Sequence, residues 1–199
     1  MTISIITTSY NSVLTLRDTM DSVLRQGYAD YEYIVVDGAS DDGTIDLIRE
    51  YEPRFGGRMH WISAPDRGIY DAMNKGLAMA TGDVVGMLNS DDFYTSDDVL
   101  GTIVREFSSL DAPDAIYGDV HYVDEMDKTK GVRYYSSQKF TRRSMLAGYM
   151  PAHPSFYARR ECYEKYGNFD TSFPVASDFE LLLRLIYVNN IPTRYVAKD

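Results

Sequence analysis

Residues 82–92 read GDVVGMLNSDD, a short apolar run from Val84 to Leu88 that stops on Asn89, Ser90 and two adjacent carboxylates, Asp91 and Asp92. The run has the length and β-branching of a buried strand, so both acids are delivered at its carboxyl end. Open α/β sheets bind their ligands at that edge. Unit charges roughly 4 Å apart repel by about 4 kcal/mol at an effective dielectric near 20. A hard divalent cation with oxygen ligands offsets such repulsion. The other reading of the pair is turn chemistry, or residues just ahead of a helix capped by Ser96.

Further acids stand at strand ends or helix starts: Asp37, Asp66 and Asp178. Asp37 ends a second apolar run and is followed by Gly38. Its carboxylate can accept from a ring or ribose while glycine lets the backbone come close, or it can cap the strand in a turn. In the segment APDRGIYDAMNKGLAMATGD, Asp66 can accept from a base or sugar and Arg67 can bind a phosphate bidentately. Lys75 on the following helix is a second phosphate contact or an exposed helix lysine. Tyr70 and Asn74, one turn apart, line the crevice or pack the helix. Asp178 heads an apolar helix, where an acid by itself reads as an N-cap favoured by the helix dipole.

Positioning these residues requires a particular order of elements. Ile3 to Thr7, Tyr33 to Val36, His60 to Ser63 and Val84 to Leu88 read as strands. Between them lie a helix capped by Asn11 or Ser12 with Leu16, Met20, Val23 and Leu24 inside, one with Ile45, Ile48 and Tyr51 on one face, and one from Ile69 to Ala80 stopped by Gly82. This β-α-β alternation implies a mostly parallel sheet covered on both faces. All carboxyl ends then share one edge, which brings Asp37 and Asp91 to one crevice. Beyond a helical Val99 to Phe107 the rhythm changes. Ala115 to Asp119 reads as a strand, His121 to Tyr135 as a hairpin turning at Asp127, Lys128 and Gly131, and residues 136–177 as an irregular, substrate-facing region. A helix through Leu181, Leu182, Leu185 and Ile186 follows. The chain ends directly after an apparent strand, the pattern expected of a truncated chain.

With 199 residues, 44% of them hydrophobic, the chain builds one domain with a sizeable core. It holds no apolar stretch of about 18 residues that could span a membrane, and MTISIITTSYN reads as a first strand, not a signal peptide. The single cysteine, Cys162, excludes an internal disulfide and reads as packing; a reducing cytoplasm fits. A formal charge of −10 with no Lys/Arg stripe excludes nucleic acid as a partner. Lys139, Arg142 and Arg143 form one local basic patch, too small for a polybasic anchor. Seventeen tyrosines can stack on sugars, but ordinary half-buried packing is the better explanation of such residues.

The segments SIITTSYN (4–11), YIVVDGASDDGT (33–44), DRGIYDAMNKGLAMATGD (66–83) and LNSDD (88–92), in this order, resemble the family 2 inverting glycosyltransferases. The likeness continues through HPSFYARRECYEKYGNFD (153–170) and ASDFELLLRL (176–185), and so covers nearly the whole chain. It implies an α/β GT-A fold in one domain: a mostly parallel central sheet with helices on both faces, and a smaller mixed acceptor-side region. Residues 1–107 would form the nucleotide-sugar-binding half and 108–199 the acceptor-side half.

Carried over residue by residue, the resemblance implies that Ser9 and Asp37 contact the nucleoside, with Asp66 and Arg67 close to base and diphosphate. Asp91 matches the last acid of the family's D-x-D motif, which holds Mn²⁺ or Mg²⁺ against the donor diphosphate. Asn89 stands in that motif's first position, where it can accept from a ribose hydroxyl. Asp92 orients Asp91, touches the donor sugar or starts the next turn. Asp178 matches the catalytic base. Ser177 replaces the usual Glu before it, leaving Glu180 as a substitute acceptor contact, and His153 matches a histidine that touches the diphosphate or the acceptor.

The implied reaction is inverting transfer from a nucleotide-diphosphate sugar, a UDP-sugar, to a hydroxyl of a saccharide or lipid-linked acceptor in surface polysaccharide biosynthesis. The resemblance implies a cytoplasmic enzyme, with peripheral association at the inner face of the membrane. It adds one sugar and does not polymerise, because the Q-x-x-R-W pattern and membrane helices of processive relatives are missing. The alternative is a non-catalytic nucleotide-sugar-binding or assembly subunit, motivated by Asn89 and Ser177. A sugar nucleotidyltransferase or a dinucleotide dehydrogenase would need a glycine-rich loop after the first strand, and TTSYNS offers none.

Overall fold

The structure, a computed structural model, describes residues 1–198. Strands β1 (Ile3–Ser9), β2 (Tyr31–Asp37), β3 (Met59–Ser63) and β4 (Val84–Met87) run parallel, joined by helices α1 (Leu16–Leu24), α2 (Thr44–Tyr51) and α3 (Ile69–Met79). Side chains alternate across the pleat. Along β2, Tyr33 and Val35 enter a core with Leu16, Met20 and Ile48, whereas Ile34 and Val36 enter a second core with Ala72 and Met73. Burial on both faces is why these strands read as unbroken apolar runs.

The second half comprises α4 (Val99–Phe107), β5 (Ala115–Tyr117), the hairpin β6 (Val120–Val123) and β7 (Gly131–Tyr135), β8 (Tyr157–Arg159), α5 (Arg160–Tyr166), α6 (Ser177–Leu182) and β9 (Thr193–Tyr195). The main sheet has seven strands in the order β3-β2-β1-β4-β8-β5-β9, and β8 lies antiparallel to both of its neighbours. Residues 136–177 are therefore not simply irregular. They supply a strand at the middle of the sheet and a helix behind it. A three-residue Tyr-Ala-Arg strand carries no alternation to betray it; its place is fixed by packing.

Gly86 on β4 faces Tyr157 on β8, and a Cβ at Gly86 would lie 2.0 Å from the Tyr157 ring. The ring fills the space a side chain would take, and its hydroxyl meets that of Tyr94 at 2.6 Å in the buried core. Gly86→Ala is expected to destabilise the fold by about 1–3 kcal/mol through overpacking, read from the midpoint of urea unfolding.

The helix ends differ from the expected ones. Thr15, not Asn11 or Ser12, precedes α1, and Asp98, not Ser96, precedes α4. The Ser96 carbonyl instead accepts from the Gln26 side chain at 2.7 Å. In α2 the buried positions are Thr44, Leu47, Ile48 and Tyr51, with Ile45 at the margin. After Leu182, α6 widens into a π-helical turn over Leu183–Val188, keeping Leu185 and Ile186 buried.

Candidate active site

Strand register builds the crevice floor. Ser9, Asp37 and Ser63 lie side by side at the carboxyl ends of β1, β2 and β3. Asp37 is fully buried. One carboxylate oxygen accepts from Ser9 Oγ (3.1 Å) and Ser40 Oγ (2.5 Å), the other from Ser40 N–H (2.9 Å) and Ser63 Oγ (2.7 Å). Four donors satisfy a charge that burial would otherwise penalise. Ala39, next to this floor, holds a left-handed φ of 64°, and Asn11 beyond β1 holds 50°. Such conformations are costly for residues with a Cβ and cluster at functional loops. Gly38 lies beneath Asp66: a Cβ there would meet Asp66 Oδ2 at 2.8 Å and the Tyr10 ring at 3.2 Å. The exposed Tyr10 and half-buried Asp66 thus form a slot over a glycine whose bare backbone admits a close approach.

The acidic loop after β4 is fastened from behind. Thr19 and Ser22 on α1, and Gln26 just after its end, are buried polar residues. Thr19 Oγ1 donates to the Asp92 carbonyl (2.7 Å), Ser22 Oγ accepts from Tyr94 N–H (3.1 Å), and Gln26 binds the Ser96 carbonyl (2.7 Å) and Leu100 N–H (3.1 Å). Within the loop, Asn89 Nδ2 donates to Asp92 Oδ2 at 3.0 Å, and burial and the neighbouring Asp91 charge push the Asp92 carboxyl above its ordinary value. Asp91 is exposed, whereas Asn89 Oδ1 is buried with no hydrogen-bond partner. An orphaned amide oxygen next to a free carboxylate offers hard oxygen donors to a cation. Among the described residues no three His, Cys, Asp or Glu side chains gather to hold a metal alone. The donor set therefore suits an ion of the Mg²⁺ or Mn²⁺ kind, which takes one or two carboxylates and completes its shell with substrate phosphates and water.

Asp178 sits half-buried in the first turn of α6. Tyr70 Oη, from α3, donates to Asp178 Oδ1 at 3.0 Å. The Tyr70 ring stacks on Phe169 (centroids 5.7 Å apart), and His153 meets the other side of Phe169 edge-on, also at 5.7 Å. Asn74 clamps Phe169 by its backbone, donating to its carbonyl at 2.8 Å and accepting from its N–H at 3.0 Å. Burial lowers the His153 pKa against the opposing pull of the Asp178 charge, so the imidazole is neutral near pH 7. Tyr70 and Asn74 thus pack α3 onto Phe169, and Tyr70 also reaches Asp178.

Other residues are engaged elsewhere. Arg67 has its side chain 80% exposed and pairs with Asp71 (2.9 Å), to which Lys75 also bonds (3.3 Å). Glu180 does not stand beside Asp178. It grips Arg184 through both oxygens (2.9 and 2.8 Å), and Arg184 in turn caps the carbonyls of Tyr166, Gly167 and Asn168 after α5. Cys162 is buried with its thiol pushed up to about 12 by desolvation, as packing requires. The structure adds Asp119, which sequence reasoning missed. It is buried and accepts from the Tyr134 and Tyr195 hydroxyls and Ser137 N–H, bonds that hold its pKa low despite burial. A Gly-Asp pair after a short strand was its only signal. Next to Asp91 and beneath the hairpin opens a cavity of about 690 Å³, walled by Tyr94, Ile103, Tyr117, Val120 and Tyr122.

A parallel α/β sheet with its acids at the carboxyl edge and a helix-borne carboxylate opposite is the arrangement of a GT-A glycosyltransferase, and solved structures of that fold superpose on it. S. aureus TarS matches with a TM-score of 0.82 at 19% identity, covering 100% of this chain and 59% of that chain. The same protein has been solved with UDP and with UDP-GlcNAc. Residues 4–167 match the model of glycosyl transferase family 2, and the chain belongs to that family. A glycosyltransferase of Mycobacterium tuberculosis described as uncharacterized is 35% identical over 189 residues, 94% of this chain and 70% of its own length. A PGL/p-HBAD biosynthesis glycosyltransferase of Mycobacterium bovis is 28% identical over 193 residues, 97% of this chain and 73% of its own. The chain thus spans about three-fifths of the TarS chain and somewhat over two-thirds of these mycobacterial relatives. Among the described residues no helix is long and apolar enough to cross a membrane.

Proposed function

We propose that this chain catalyses inverting, metal-assisted transfer of a sugar from a UDP-sugar to a hydroxyl of a saccharide or lipid-linked acceptor. The observation that carries the reading is the half-buried Asp178 at the head of α6, one oxygen held by Tyr70 and the other with no hydrogen-bond partner among the described residues. The nucleoside lies in the slot of Tyr10, Gly38 and Asp66, over the floor that Ser9 and Asp37 form together. Asp37 supports that floor and does not itself meet the base, because all of its acceptor sites are engaged and it is fully buried. The nucleotide of TarS and the biosynthetic role of the mycobacterial relatives support donor and acceptor classes of this kind.

Asp91 and Asn89 Oδ1 would hold Mn²⁺ or Mg²⁺, which supplies Lewis-acid stabilisation of the departing diphosphate. Asp92 accepts from Asn89 Nδ2 and so fixes that amide's orientation, leaving its oxygen without a protein partner among the described residues. Asp178 takes the proton of the acceptor hydroxyl as that oxygen attacks the anomeric carbon; such a base contributes roughly 10² to 10⁴ in rate. Attack opposite the leaving group inverts the anomeric centre without a covalent enzyme intermediate. Peripheral membrane association belongs to the same proposal, since a lipid-linked acceptor is presented at a membrane surface.

Thermal unfolding with UDP tests the donor side. Ligand at about 100 times its Kd adds about 2.7 kcal/mol of stability. UDP with Mn²⁺ is expected to raise the midpoint further than UDP with chelator, and Asp91→Ala to erase that difference. Equal midpoints with and without metal in the unmutated chain would remove the metal role. If UDP binds but no acceptor in a saccharide and glycolipid panel yields product, the chain is the non-catalytic binding subunit instead.

A further inference from the structure

We infer that Tyr70 is a positioning residue for Asp178, fixing which carboxylate oxygen faces the acceptor; the inference rests on Asp178 being the base. The head of α6 lacks a cap of its own. Ala176 precedes it with a φ of 66°, offers no side-chain acceptor, and is followed by the fully buried Ser177, whose Oγ has no partner. A helix start in that condition needs support from elsewhere. Tyr70 provides it from a segment 108 residues away. Its hydroxyl donates to Asp178 Oδ1 in the first turn of α6.

The donor itself is held still. Tyr70 stacks on Phe169, and the reciprocal Asn74 bonds lock the Phe169 backbone against α3, so Tyr70, Asn74 and Phe169 form one rigid unit. A carboxylate on the first turn of a helix otherwise rotates about χ1 and χ2. With Oδ1 pinned, Oδ2 is the oxygen left to receive a proton. Orientation matters because misplacing a reacting group by about 1 Å costs roughly 10² in rate.

Tyr70→Phe keeps the ring and its stacking and removes only the hydroxyl. Its kcat is expected to fall about tenfold with the donor KM unchanged. A loss confined to kcat, at unchanged donor KM and unchanged thermal stability, is the mark of positioning. A merely structural tyrosine would lower stability and leave kcat in place. Tyr70→Ala should add a loss of thermal stability that Tyr70→Phe does not share. Unchanged kcat in Tyr70→Phe, alongside an inactive Asp178→Asn, would overturn the positioning role and leave the base assignment standing. An active Asp178→Asn would remove both.

Discussion

Asp178→Asn is expected to lower sugar transfer by roughly 10² to 10⁴ while UDP affinity stays within about twofold, a difference of less than about 0.5 kcal/mol. The amide is nearly isosteric and still accepts from Tyr70 through its oxygen, so the local geometry survives. Its nitrogen, already carrying two hydrogens, has no lone pair for the acceptor's proton. Loss of a negative charge at the start of α6 costs about 0.3–1 kcal/mol of stability, too little to unfold the chain. Initial rates with saturating donor, measured beside UDP titration calorimetry, separate the two effects. Transfer at the unmutated rate would remove Asp178 from the chemistry.

The second large effect belongs to the floor. Asp37→Ala is expected to destabilise the chain by about 3 kcal/mol, because it strands buried donors whose desolvation is then uncompensated, and to weaken UDP binding with it. Asp37→Asn should be milder. Its oxygen can face the Ser40 N–H and Ser63 Oγ while its amide faces the Ser9 and Ser40 hydroxyls, which rotate to accept. Urea unfolding of the two variants discriminates the causes: equal losses would mean that the charge, and not the count of satisfied donors, holds the floor together.

Much of this arrangement was readable because it depends on local patterns. Apolar runs ending on Asp37 and on Asn89-Ser90-Asp91-Asp92 located the carboxyl edge, and the GT-A architecture followed from β-α-β order together with the family's segments. What was not readable depends on contacts between distant residues. Ser40 and Ser63 gain meaning only when strand register sets them around Asp37. Thr19, Ser22 and Gln26 look like an ordinary polar helix edge until the acidic loop packs onto them. Glu180 was expected as an acceptor contact near Asp178, yet Arg184, one helical turn on, pairs with it. Asp178 looked like a cap; the residue supporting that helix start is Tyr70.

The single reversed strand governs the order in which the molecule can be built. β1, β2, β3 and β4 can associate once Met87 has left the ribosome, and with them the Asp37 floor and the loop that carries Asp91. β5 is made next but has no seat, because its neighbours are β8 and β9, both later in sequence. Until Tyr157–Arg159 emerge, β4 shows a bare edge of backbone donors and acceptors, a template for wrong pairing between nascent chains. A fragment ending before residue 157 should therefore aggregate instead of folding to half a protein. Asp178 on α6 takes its place after that edge has closed, so a chain interrupted between residues 159 and 178 can hold the Asp37 floor and the Asp91 loop without the carboxylate that faces Tyr70.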